Sequence, residues 1–290
     1  MVRPITAAVD GTSEGLSAVQ WAAQEAFSQR RSLRVLCVWR WQTAGEVPSA
    51  EKMEFSRRAK RIARGISGLV KSRFPHLDLK CEVLDPGSLG NLVLQAGSAH
   101  MLVVGTVNRD AVGIFPLQSL LQKSLHNVAC PVTIVREASG GGGSPEPDSG
   151  EIVVEQSGVD DSQHVMDFAV QLASSRRASL RIIRMPELPT AWNVETTPLH
   201  MPDIVAGGRA TRDGTRGSGF APLYERSPLP EGAATRCEAT WATTGGLPIA
   251  FDRARLVVMG SRFAQRYGHA VLQQTSCPIT VVPRPWHACE

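Results

Sequence analysis

The sequence predicts an α/β fold made twice over: two tandem domains, each a parallel five-stranded sheet flanked by helices. Three observations carry this. Short apolar runs, such as Met101, Leu102, Val103 and Val104 ahead of Gly105, alternate with amphipathic stretches. Runs without polar alternation are strands covered on both faces, as in a parallel sheet. A constant offset of 147 then pairs Ile5 with Ile152, Gly11 with Gly158, Trp21 with Phe168, Leu33 with Leu180 and Cys130-Pro131 with Cys277-Pro278. Finally, residues 138–150, ASGGGGSPEPDSG, have the composition of a linker and separate residues 1–137 from residues 151–290.

Taken in order, Ile5–Val9 is the first buried strand, closed by Asp10-Gly11. Thr12 and Ser13 are placed to cap a helix with Glu14 in its first turn. Leu16, Val19, Ala22, Ala23 and Ala26 give that helix its apolar stripe. Residues 33–39 form the second strand. Over residues 51–74, Phe55, Ala59, Ile62, Ile66, Leu69 and Val70 recur at steps of three and four, a long amphipathic helix. Its other face carries Arg57, Arg58, Lys60, Arg61, Arg64 and Lys71. Those charges read as a solvated face rather than a phosphate- or RNA-binding stripe, since no aromatic residues are interleaved for base stacking. Residues 77–84 are the third strand, 89–96 the core of a crossover helix and 101–104 the fourth strand. Leu120, Leu121, Leu125 and Val128 mark the last helix, Cys130-Pro131 stops it, and residues 132–135 are the fifth strand.

The second repeat departs from the first in three places. Gly105 and Cys130 are 25 residues apart, whereas their counterparts Gly260 and Cys277 are 17 apart, so eight residues are missing. Asp10 is matched by Ser157. Residues 186–232, rich in Gly, Pro and Arg, stand where the long amphipathic helix is expected and read as a mobile insertion.

Composition bounds the function. A chain of 290 residues with 42% hydrophobic and 20% charged residues is long enough for two globular domains with real cores. A net charge of +4 does not point to nucleic acid. No apolar run approaches the ~20 residues of a membrane span. The first strand begins too early for a signal peptide, which makes the cytoplasm the expected location. The six cysteines include no C-x-x-C pair, so neither zinc nor a disulfide framework is expected. Cys130 and Cys277 read instead as small hydrophobes at equivalent places.

The stretch 101–136, with a strand ending in Gly, a loop, a Ser-headed helix and Cys-Pro-Val before a final strand, resembles a universal stress protein domain. The resemblance extends to both repeats and implies tandem Rossmann-like domains of the adenine nucleotide alpha hydrolase-like kind. It implies a stress-response regulatory protein that binds ATP or another adenine nucleotide, with no metal beyond nucleotide-bound Mg. The family's motif, G-x2-G-x9-G-[ST], falls on Gly105, Asn108, Gln118 and Ser119; the first and last positions match, and Asn and Gln replace the middle glycines. Glycine lets a phosphate approach the backbone, and a side chain obstructs it. Asp10 and Val38, at the ends of the first two strands, fall where the family contacts ribose and adenine. The residues alone allow Asp10 to cap the next helix, Trp39 to stack on a base or pack at the core or rim, and Arg109 to offset missing backbone contacts by charge or to be a solvated loop residue. A receiver-type phosphoacceptor would need clustered carboxylates, and Ala8 and Val9 precede Asp10.

No nucleophile elbow, Walker loop or H-E-x-x-H motif is present, so the expectation is a non-enzyme. With eight residues and the Asp gone from the second repeat, nucleotide is expected in the first domain only. The alternative is a ligand-free interaction scaffold. Family members pair through their last strands, which implies intramolecular pairing of residues 132–135 with Ile279–Val282; a homodimer is also admitted. The sequence names no protein partner.

Overall fold

The structure, a computed structural model, describes residues 2–37, 49–84, 95–106, 129–136, 151–155, 163–184, 238–241, 251, 254–275 and 277–284. In chain order these form β1 (Ile5–Val9), α1 (Ser13–Ser28), β2 (Leu33–Cys37), α2 (Ser49–Arg73), β3 (Leu79–Val83), β4 (Met101–Thr106), β5 (Val132–Arg136), β6 (Glu151–Glu155), α3 (Gln163–Arg176), β7 (Leu180–Arg184), β8 (Glu238–Trp241), β9 (Ala254–Gly260), α4 (Ser261–Gln274) and β10 (Ile279–Val282). The expected crossover helix at 89–96 is described only at its last two residues. The helix through Leu120 to Val128, the linker 138–150 and the insertion 186–232 lie outside the described residues.

Among the described residues ten strands join one sheet in the order β3-β2-β1-β4-β5-β10-β9-β6-β7-β8. Each half is parallel and five-stranded, as its apolar runs predict, but the two expected sheets are continuous. The junction is the single antiparallel pair, β5 with β10. In it Thr133 faces Thr280, and Ile134 and Val132 face Ile279 and Val281. The partners are exchanged by the same offset of 147 that relates the halves, so a local two-fold axis passes through the Thr133–Thr280 pair. Their hydroxyls meet at 2.8 Å in full burial.

Backbone detail repeats with the sequence. Both α1 and α3 end on an arginine in the left-handed region, Arg30 and Arg177, each at φ 53. In both, the next amide donates back across the turn, Arg31 N–H to Ala26 O at 2.8 Å and Ala178 N–H to Ala173 O at 2.9 Å. This is a Schellman ending with arginine where glycine is usual.

One apolar cluster runs through both halves. It joins Val19, Trp21 and Ala22 of α1 and Ile66 and Val70 of α2 to Phe168, Ala169 and Leu172 of α3, over Ile5, Val35, Ile152 and Leu180 of the sheet. The stripe expected on α1 is buried there, with Leu16 only partly covered. The opposite face carries two smaller clusters. In the second half Val153, Val257, Met259 and Ile279 pack with Phe263, Ala264 and Val271 of α4.

The hydroxyl pair on the axis gives a specific test. Thr133→Val leaves the Thr280 hydroxyl buried without its partner, and a loss of roughly 1–3 kcal/mol is expected. Thr133→Val with Thr280→Val removes both hydroxyls and should recover most of it. Denaturant unfolding of the four proteins measures the coupling, and strictly additive losses would mean that the hydroxyls do not stabilise one another.

Candidate functional site

In the first half the strand order reverses between β1 and β4, where Ala8 lies beside Val104. At such a switch point the connections leave the sheet in opposite directions and open a crevice at the carboxyl ends of the strands. Asp10 and Gly105 stand at the carboxyl ends of the two strands that flank this reversal. Asp10 Oδ1 accepts from the Thr12 N–H at 3.1 Å and from the Thr12 hydroxyl at 2.6 Å. Thr12 is the N-cap of α1, its Oγ1 accepting from the Gly15 N–H at 3.2 Å. The carboxylate therefore braces the cap rather than forming it, and among the described residues nothing bonds its second oxygen.

Gly105 is fixed by packing. A Cβ there would lie 2.1 Å from the Glu14 carbonyl oxygen and 2.8 Å from the Gly15 nitrogen, so the first turn of α1 rests directly on β4. Gly15 in turn leaves only 3.2 Å between a built Cβ and Asp10 Oδ1. Gly105, Gly15 and Asp10 are thus contiguous at the carboxyl ends of β1 and β4. Gly11, at φ +90, turns the chain from β1 into α1, and Ile62 and Arg58 of α2 close over it. The other expected site residues, Val38, Asn108, Gln118 and Ser119, lie outside the described residues, as do Trp39 and Arg109.

The same end of the second half is described through the start of its helix. Gly260 ends β9 and is itself the N-cap of α4, so the helix starts with no intervening loop. Here the eight missing residues have their structural consequence. Glu155, the last residue of β6, occupies the place that Ala8 has in β1. Alternation along the strand puts it on the face of Val153, which packs beneath α4. Its side chain is buried, and Oε1 has no hydrogen-bond partner among the described residues. Burial pushes the carboxyl up to about 8. Sequence reasoning missed Glu155. Its signal was a glutamate ending an otherwise apolar run, at a position where the first repeat has alanine.

Burial also pushes the Cys37 thiol up to about 11, with the Cys81 thiol adding to the effect, and the Cys130 thiol up to about 12. Cys277 is raised to about 11 by the same cause. All four described cysteines are free, and Cys130 and Cys277 pack in apolar clusters on equivalent sides of the seam. Among the described residues no three His, Cys, Asp or Glu side chains gather as a metal set, and no helix is long and apolar enough to cross a membrane.

A model of the universal stress protein family matches residues 1–136. Across the whole chain, a universal stress protein from Archaeoglobus fulgidus DSM 4304 is similar in structure, with a TM-score of 0.64 at 14% identity, covering 97% of this chain and 96% of that one. A functionally unknown protein from Pseudomonas aeruginosa PAO1 gives a TM-score of 0.55 at 14% identity, covering 97% and 92%. At such identities the likeness establishes the fold alone, and it spans both halves.

Two substitutions probe the contrast between the halves. Gly105→Ala forces the α1 backbone off β4, and a loss of roughly 2–4 kcal/mol is expected in denaturant unfolding; a near-neutral effect would contradict the contact. For Glu155, the native carboxyl holds its proton up to about pH 8, while the unfolded chain releases it near 4.5. Stability therefore falls as pH rises through that window, by at most about 1.4 kcal/mol per unit. Glu155→Gln should gain on the parent progressively from pH 5 to pH 8. A gap independent of pH would show that the carboxyl is solvated in the native protein.

Proposed function

We propose, from the match of residues 1–136 to the universal stress protein family, that the chain is a stress-response regulatory protein that binds one adenine nucleotide, in its first half. The observation that carries the proposal is the asymmetry of the two sheet ends. The first half has its strand-order reversal at β1 and β4, with the Asp10 carboxylate beside α1 and the Gly105 strand end followed in sequence by residues 107–128. In the second half α4 begins directly on β9, and the Glu155 side chain stands where alanine leaves room. In this reading Asp10 meets the ribose and Val38 the adenine. Gly105, Asn108, Gln118 and Ser119 form the phosphate turn, and any Mg arrives with the nucleotide.

The proposed role is binding rather than catalysis. Support comes from the thiols, which burial keeps protonated at neutral pH, and from Asp10, whose Oδ1 is committed to Thr12. Four free cysteines fit a reducing compartment, which supports placing the protein in the cytoplasm.

Calorimetric titration of the full chain with ATP tests the proposal, with one nucleotide per chain as the expected result. Two per chain would return a site to the second half, and none would leave the ligand-free scaffold as the reading. Asn108→Gly with Gln118→Gly should tighten binding, because both side chains stand where the family's loop offers bare backbone to phosphate. Unchanged affinity would remove those positions from the site.

A further inference from the structure

The seam between the halves carries charges that its symmetry does not require. Glu25 of α1 and Arg176 of α3 form an ion pair across it, both side chains almost wholly buried. Arg176 also lies over the Trp21 ring, 5.1 Å from its centre, and Gln29 Nε2 donates to the other Glu25 oxygen at 2.5 Å. On the other face Arg136 donates to the carbonyl of Thr275, the C-cap of α4, at 2.6 Å. The offset of 147 shows that none of these contacts has a symmetry mate. Glu25 corresponds to Leu172, Arg176 to Gln29, Trp21 to Phe168, Arg136 to Pro283 and Thr275 to Val128.

We propose that these one-sided contacts are a pairing code: the first-half surface of β5 and α1 fits the second half of this chain and rejects a second copy of itself. The strand edges cannot make that distinction, because Thr133 and Thr280 are both threonine and every pairing of the halves would keep the hydroxyl pair. The charges can. If two first halves paired, each buried Glu25 would face glutamine in place of arginine. If two second halves paired, each buried Arg176 would face Leu172 and Phe168 and no carboxylate. Both like pairings bury an ion without its counter-ion, the arrangement that costs most in an apolar seam. Only the unlike pairing satisfies both. A mispaired state is thereby penalised where backbone complementarity alone is degenerate.

The experiment uses the full chain. Glu25→Arg and Arg176→Glu each place like charges at the seam, and each should melt well below the parent. Glu25→Arg with Arg176→Glu in one chain should regain much of the loss. The decisive sample is a co-refolded equimolar mixture of the two single variants. There the first half of each chain is complementary to the second half of the other, so a reciprocal species of twice the mass should form and melt above either variant alone. Singles that melt like the parent overturn the proposal. So does a mixture that behaves as the sum of its components, or a double variant that regains nothing. Should the reversals not fold singly, Glu25→Gln and Arg176→Gln read the same coupling: the double must lose less than the sum of the singles, and additivity overturns the proposal.

Discussion

A strand buried on both faces at the end of a sheet still has one row of unpaired backbone groups, and the architecture follows from how β5 and β10 cover each other's. Each half is a complete parallel sheet with its last strand at an edge, flanked by apolar neighbours that cannot be left in water. Joining the two edges antiparallel satisfies both rows at once and brings α1 against α3, so that one apolar cluster runs through both halves. The remaining edges, β3 and β8, are the outermost strands. On β3, Lys80 is largely exposed and pairs with Glu82 at 2.7 Å, and charge on an open edge discourages further strand addition.

Much of this was legible in the sequence, because burial on both faces leaves a trace that needs no partner to interpret. Ile5–Val9, Met101 to Val104 and residues 132–135 read as strands from composition alone, and the repeat offset implied that the halves share a topology. The continuity of the sheet was legible only as an expectation, since a self-complementary edge is indifferent to which copy it meets. The helix ends were harder. Arg30 and Arg177 take the left-handed position where glycine would have announced the turn, and arginine carries no such signal.

The charged residues of the interior were illegible for a different reason. Glu25 and Arg176 sit on amphipathic helices where a charge normally marks the solvent face, and nothing within either helix shows that they meet. Their burial is a property of the pair, defined only once the halves dock. Glu155 is the converse case. Its strand was recognised, but its position is covered in both halves, with alanine there in the first (Ala8) and a carboxyl here. The candidate site divides in the same way. Asp10 and Gly105 were found from their places at strand ends. Their immediate structural reasons are local: Asp10 bonds Thr12, and Gly105 admits the α1 backbone.

The two ends of each half-sheet are therefore under unequal constraint. Along the seam, a change on one helix must be answered on the other, because the side chains share a dry interior in which an unpaired charge is costly. The carboxyl ends of the strands differ more between the halves. There the second half has lost eight residues and admitted a buried carboxyl without losing its strand order. A sheet keeps its topology through its strands and covering helices, whereas a phosphate turn depends on the backbone conformation of one loop. The second half thus keeps the strand order of a complete partner although it is eight residues shorter between Gly260 and Cys277. The two constraints meet on one helix: the α1 whose first turn Asp10 and Gly105 position also presents Glu25 to Arg176, so the second half holds that helix by its far end.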